Sequence, residues 1–251
     1  MAADPSCPDL SIVVPVFNEL PNLGPLIAEL ASVLNGTGRR WEALLVDDGS
    51  IDGSSAEIDR LAGEDARVRA IHFVRNSGQT AAFDAGFRLA RGRVVVTMDA
   101  DLQNDPSDIP RLLARLDESG ADAIAGWREK RRDTVVRRVS SWVGNSVRNS
   151  LSGDDIRDTG CSLKVFRAEA LAGLKLYKGM HRFLPTLLRM EGRQVEEMAV
   201  GHRPRKAGIS KYGISNRALR GLADVLAVRW MKGRRLDYEI AGETRADRHA
   251  D

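Results

Sequence analysis

Five short apolar runs alternate with helical patterns over the first 126 residues, and four of these runs end in polar or acidic residues. The runs are Ser11–Val16, Ala43–Val46, Val68–Val74, Arg93–Met98 and Asp122–Gly126. Between them, Asn22–Leu34, Ser54–Leu61, Thr80–Ala90 and Ile109–Ser119 carry apolar residues at helical spacing. Strands that read as continuous apolar runs, separated by helices, specify an α/β fold with a mainly parallel sheet covered on both faces. In such sheets ligands sit beyond the carboxyl ends of the strands. Here those ends carry Asn18-Glu19, Asp47-Asp48, Arg75-Asn76 and Asp99/Asp101. Polar groups at four successive strand ends form a constellation rather than scattered surface charge.

The remaining 125 residues change character. Thr134–Leu151 reads as a basic amphipathic helix, Asp158–Phe166 as a turn leading into a strand, and Phe183–Glu191 as a helix. Val195–Val200 reads as a strand, His202–Tyr212 as a loop bearing Gly and Lys/Arg, and Ser215–Trp230 as a helix. Net charge is only +3, but Arg and Lys crowd residues 127–148 and 202–235. That distribution suits phosphate-bearing partners or a solvated basic surface. Two cysteines, Cys7 and Cys161, match no metal spacing and point to a reducing compartment. The first nine residues hold acids and prolines without an apolar core, so no secretory signal is expected. No stretch approaches eighteen consecutive apolar residues, so no membrane span is expected either.

The sharpest local feature is Asp99-Ala100-Asp101-Leu102-Gln103, directly after the strand Val94–Met98. Carboxylates at i and i+2 in extended chain point to one side. Oxygens from Asp99, Asp101 and Gln103 suit a hard octahedral cation such as Mg²⁺ or Mn²⁺, bridging to a diphosphate. Asp47-Asp48-Gly49-Ser50 offers either an acceptor for a base edge or ribose, or plain turn chemistry. Arg75-Asn76-x-Gly78 opens a helix, where small residues allow close backbone approach and the helix terminus favours anions.

Together these motifs resemble glycosyltransferase family two, of GT-A fold. The resemblance rests on Val14-Pro15-Val16-Phe17-Asn18-Glu19, Val46-Asp47-Asp48-Gly49-Ser50, Asn76-x-Gly78 and Met98–Gln103 in order. Asp158–Arg167, His181-Arg182-Phe183-Leu184-Pro185 and Arg203-x-Arg205-x-x-Gly208-x-Ser210-Lys211-Tyr212 are similar to its polyprenyl-phosphate branch, which includes dolichyl-phosphate mannose synthases. It spans roughly Ser11 to Trp230.

The resemblance implies a nucleotide-sugar donor contacted by Pro15, Phe17, Glu19, Val46, Asp48, Asp99 and Ala100. It implies Mg²⁺ or Mn²⁺ on Asp99, Asp101 and Gln103, with Asp101 and Asp158 as catalytic residues. Arg128, after the fifth strand, and Arg203, Arg205, Ser210 and Lys211 would hold donor or acceptor phosphates. Asp158 is open to a second reading, as a loop cap beside Gly160. Cys161 stands where other members carry an acid, which weakens any base role there. A base is not required, because a lipid phosphate monoester, with a second pKa of about 6, is largely dianionic at neutral pH. Direct attack would invert the anomeric centre.

The implied organisation is a flexible start over 1–10, a catalytic domain over 11–214, an amphipathic helix over 215–232 and a flexible tail over 233–251. In that helix Leu219, Leu222, Val225, Leu226 and Trp230 lie at core-like spacing near Arg229, Lys232, Arg234 and Arg235. Two readings stand: packing on the domain, or lying on an anionic membrane. The second gives a cytoplasmic protein, peripheral on the inner membrane face, with or without a small membrane subunit. His181 and His202 read as loop hydrogen-bonders rather than metal ligands. Nucleic acid is not an expected partner, because aromatics are 5% and do not interleave with the basic runs. A dehydrogenase is excluded by the loop Pro15–Glu19, which lacks G-x-G-x-x-G. The rivals that remain are transfer to a polysaccharide or protein, and a non-catalytic nucleotide-sugar-binding module.

Overall fold

The computed structural model describes residues 7–128, 155–204, 214–236, 238 and 241–242. The expected helix Thr134–Leu151 and most of the loop His202–Tyr212 lie outside the described residues. Among the described residues, seven strands form one sheet: β1 (Leu10–Val16), β2 (Trp41–Asp47), β3 (Val68–His72), β4 (Val94–Thr97), β5 (Ala123–Arg128), β6 (Lys164–Arg167) and β7 (Val195–Val200). Their order across the sheet is β3-β2-β1-β4-β6-β5-β7. The pairs β1–β2, β1–β4, β2–β3 and β5–β7 are parallel. Strand β6 runs antiparallel, inserted between β4 and β5.

Strand alternation divides the core into two layers. Leu10, Ile12, Val14 and Val16 of β1 join one layer with α1 (Leu20–Leu34), α2 (Ser54–Glu64) and α4 (Ile109–Ser119). Val13 faces the other way, with Phe83 of α3 (Gln79–Leu89), Leu171 of the short α5 (Ala168–Leu171), and Leu184 and Leu188 of α6 (Leu184–Met190). At Gly86 a Cβ would sit 2.2 Å from a Val13 methyl, so α3 lies directly on β1 there. This contact fixes the height of the α3 N-terminus above the strand ends.

Most elements differ from expectation by one to three residues at an end, and three boundaries bear on the site. β3 stops at His72, because it is the sheet edge and the chain then leaves in a loop whose Val74 is fully exposed. β5 runs on to Arg128, because β7 pairs with it as far as Arg128↔Val200. Arg128 is therefore in the strand rather than after it. Of the expected strand Cys161–Phe166, only the part from Lys164 pairs with β4 and β5, and it extends to Arg167.

The last helix, α7 (Ile214–Gly233), docks through Val225 and Val228 onto Met180, Phe183 and Leu187. Among the described residues, no helix is long and apolar enough to cross a membrane.

Candidate active site

The site lies where β1, β2, β4 and β5 end. After β1 the chain turns through Asn18 at φ 55°, a left-handed conformation that asparagine tolerates. The Ser50 hydroxyl accepts from Asn18 N at 2.9 Å, and Asn18 Oδ1 accepts from Ile51 N at 2.8 Å. The Pro15–Glu19 loop is thereby tied to the loop after β2. Glu19 Oε2 accepts from Asn22 Nδ2 at 2.6 Å, and Ser54 Oγ accepts from Glu19 N at 3.0 Å. Val46 is wholly buried in the apolar layer shared with α3, so its side chain serves packing.

Asp47 and Asp48 have separate partners. Asp47 accepts from Ser50 N at 2.9 Å, and from the Ser55 hydroxyl and His72. Burial works to raise its pKa, but these hydrogen bonds outweigh it and hold the group below the ordinary carboxylate range. Asp48 is buried and accepts from Ser77 N at 2.6 Å and Gly78 N at 2.9 Å. Burial, with a contribution from Asp47, nevertheless pushes its pKa up against those two bonds. Gly49 makes this arrangement possible. Its φ is 74°, and a Cβ there would lie 2.7 Å from Asn76 N.

The Asp99–Gln103 loop is held from several sides. Asn104 Oδ1 accepts from Asp99 N at 3.2 Å and from the Ser162 hydroxyl at 2.7 Å. Asp101 Oδ1 accepts from Gln103 N at 3.1 Å. Arg203 N donates to Gln103 O at 2.9 Å, and Asn104 bridges to His202. Leu102 adopts φ 59° with its side chain buried, a conformation costing roughly 1–2 kcal/mol for a non-glycine residue. Strain of this kind persists where surrounding contacts over-determine the backbone. Asp99 Oδ1 accepts from Gln79 Nε2 at 2.7 Å. Burial, and then the Asp101 carboxylate, push the Asp99 pKa up to about 6.

That pair of mutually repelling carboxylates fits a divalent cation. Its donor set is oxygen only, as a hard cation requires. Among the described residues, no group of three His, Cys, Asp or Glu side chains converges to hold a metal. Two carboxylates and the Gln103 amide oxygen are the donors this loop could offer such a cation.

Behind this loop lies a charged cluster. The Arg128 guanidinium grips Asp158 through both carboxylate oxygens, and Asp158 Oδ1 also accepts from Gly160 N at 3.1 Å. Asp158 thus caps the loop at Gly160 and pairs with Arg128 through the same carboxylate. Lys164, in β6, is buried, and its Nζ donates to the Cys161 carbonyl. Burial lowers the Lys164 pKa, while Cys161, Asp158 and Asp99 favour its charged form. Arg128 and Lys164 both act to lower the Asp99 pKa.

Arg203 holds Glu29 at 2.6 Å and Asp105 at 2.7 Å, so its guanidinium braces α1 against the loop after β4. Arg205, Ser210 and Lys211 lie outside the described residues. Sequence reasoning missed Gln79, Asn104, Ser162 and Lys164. Two had a local signal: Gln79 follows Asn76-x-Gly78, and Asn104 follows Gln103. Ser162 and Lys164 sat within a quoted motif, without a chemistry of their own.

A profile of Glycosyl transferase family 2 matches residues 11–174. The chain is 42% identical over 224 residues to a dodecaprenyl-phosphate galacturonate synthase of Rhizobium johnstonii, covering 88% of this chain and 66% of that protein. It is 36% identical over 208 residues to an undecaprenyl-phosphate 4-deoxy-4-formamido-L-arabinose transferase of Shewanella sediminis, covering 82% and 62%. The chain thus spans slightly less than two thirds of the length of these relatives. Among solved structures, it matches glucosyl-3-phosphoglycerate synthase of Mycobacterium tuberculosis in complex with Mn²⁺, UDP and phosphoglyceric acid. That match has a TM-score of 0.69 at 18% identity and covers 92% of this chain and 80% of the other. The sheet, its covering helices and the sequence match agree: this chain has the GT-A fold and belongs to glycosyl transferase family 2.

Proposed function

We propose that this chain moves a sugar from a GDP- or UDP-sugar to a polyprenyl phosphate, with inversion at the anomeric carbon. The observation that carries the chemistry is the Asp99/Asp101 pair at the end of β4, held in a loop fixed by Asn104, Ser162 and Arg203. The acceptor class is supported by the dodecaprenyl-phosphate and undecaprenyl-phosphate enzymes to which the chain is 42% and 36% identical.

In this reading Asp99, Asp101 and Gln103 hold Mg²⁺ or Mn²⁺, in keeping with the Mn²⁺ in the M. tuberculosis structure. A cation bound there neutralises charge on the leaving diphosphate. Pro15, Phe17, Glu19 and Asp48 line the nucleoside side. The acceptor phosphate, a dianion, attacks the anomeric carbon, and the nucleoside diphosphate departs with the electron pair of the broken C–O bond. No proton need be removed. Asp158, gripped by Arg128, orients that guanidinium toward phosphate rather than acting as a base. Positioning and charge stabilisation then supply the rate. Arg205, Ser210 and Lys211 complete the acceptor contacts.

The chain works from the membrane surface. On α7, Val225 and Val228 face the domain while Leu226 and Trp230 are exposed, as are the neighbouring Arg229, Lys232, Arg234 and Arg235. Apolar residues ringed by cations suit an anionic bilayer.

The test is a scan of GDP- and UDP-sugars with undecaprenyl phosphate in detergent, reading lipid-linked sugar and released nucleotide, beside a soluble sugar acceptor. One donor giving lipid-linked sugar supports the reading. Sugar transferred only to the soluble acceptor overturns the acceptor assignment.

A further inference from the structure

The α3 N-terminal turn touches three separated segments of the chain through four consecutive residues. Ser77 N and Gly78 N donate to Asp48 at the end of β2, at 2.6 and 2.9 Å. The Gln79 side chain donates to Asp99 at the end of β4, at 2.7 Å. The Thr80 hydroxyl accepts from Gly179 N at 3.0 Å and shares a 2.7 Å hydrogen bond with His181 Nδ1. Gln79 is the first residue of α3, and Gly86 presses that helix against β1, so its amide projects from a fixed base.

Asp99 itself has a limited set of restraints. Its main-chain N–H goes to Asn104, while its carboxylate takes Gln79 Nε2. Without such a donor, two carboxylates two residues apart would turn away from each other. A donor on the Asp99 carboxylate restricts the directions in which it can turn.

We propose that Gln79 is a positioning residue for the cation: its amide fixes the Asp99 carboxylate in the orientation that ligates. This rests on the reading of Asp99 and Asp101 as cation ligands. Gln79 does not touch the metal or the sugar. The hydrogen-bonding partners of metal ligands commonly set affinity by 10- to 100-fold. The bond also links the cation side of the site to the nucleoside side, because the same turn holds Asp48.

The experiment measures Mn²⁺ binding to the purified full chain by the loss of the free-ion EPR signal. It compares wild type with Gln79→Met, Gln79→Ala and Asp99→Asn, and records each thermal midpoint in EDTA. Methionine keeps the length of glutamine but cannot donate. The expected result is Mn²⁺ affinity about tenfold weaker in both Gln79 variants, with midpoints in EDTA near wild type and binding lost in Asp99→Asn. Wild-type Mn²⁺ affinity in Gln79→Met, with Asp99→Asn still defective, overturns the role of Gln79 and leaves the cation site standing. Affinity and midpoint falling together in both Gln79 variants also overturns it, because the residue then acts only in packing. Wild-type Mn²⁺ binding in Asp99→Asn removes the cation-ligand reading itself.

Discussion

Arg128 and Asp158 form a two-pronged salt bridge, Nε to Oδ2 at 2.7 Å and Nη2 to Oδ1 at 2.9 Å, with both side chains largely buried. Burial acts to lower the Arg128 pKa, and the pairing more than restores it. A fork of this kind fixes direction as well as charge. Breaking it from one side leaves an uncompensated buried ion. Arg128→Ala and Asp158→Ala should each lower stability by roughly 3 kcal/mol. The double variant should lose clearly less than the sum of the two. Urea unfolding of the four proteins checks this, and strict additivity would show that the bridge is not a unit.

Gly49 carries a different prediction. A side chain at φ 74°, meeting Asn76 N at 2.7 Å and Arg75 C at 2.8 Å, must push two loops apart. Gly49→Ala should cost about 1–3 kcal/mol. It should also weaken UDP or GDP binding, because the displaced loop carries Asp48. Calorimetric titration with both nucleotides, beside thermal unfolding, reads the two effects separately.

His181 gives the pH dependence. Burial, with Arg182 and Lys164 adding repulsion, depresses its pKa from 6.5 to about 3. At pH 7 the ring is mostly neutral whether the chain is folded or not. Below 6.5 the unfolded chain takes up the proton and the folded one does not. Stability is therefore lost as the pH falls from 6.5 toward 3, at up to about 1.4 kcal/mol per pH unit. His181→Gln should flatten this slope in unfolding curves taken between pH 7 and pH 4. An unchanged slope would mean that the ring protonates in the fold.

The exposed face of α7 predicts membrane binding that can be separated from folding. Leu226 and Trp230 are 49% and 66% exposed, whereas Val228 is fully buried. Leu226→Ser with Trp230→Ser should abolish co-flotation with anionic vesicles and leave the thermal midpoint within about 2 °C, as exposed substitutions cost little. Binding of the parent chain should also weaken with added salt.

The parts of this fold that are legible in the sequence share one cause. β1, β2 and β4 are buried on both faces, so they appear as apolar runs, and their acidic ends mark where the runs stop. The same logic places Asp48, Asp99 and Asp101 at strand ends from the residue pattern alone. What stays hidden depends on tertiary closure. β6 has only four residues, and nothing local says that it runs antiparallel between β4 and β5. The Gln79–Asp99 bond joins the start of α3 to the loop after β4, 20 residues on. It exists because Gly86 seats α3 on β1, a contact that no local pattern encodes. Arg203 is expected at a phosphate because the family resemblance implies it. Its actual partners, Glu29 and Asp105, come from α1 and the loop after β4, which lie far apart in the chain.

The most direct measurement is transfer of radiolabelled sugar to undecaprenyl phosphate by wild type and by Asp101→Asn, each with Mn²⁺ and with EDTA. The donor is whichever nucleotide sugar the scan selects. The expected result is organic-extractable labelled lipid from wild type with Mn²⁺, little or none with EDTA, and none from a folded Asp101→Asn protein. Full transfer by that variant, or by wild type in EDTA, would contradict the assignment of Asp99 and Asp101 as a catalytic cation site.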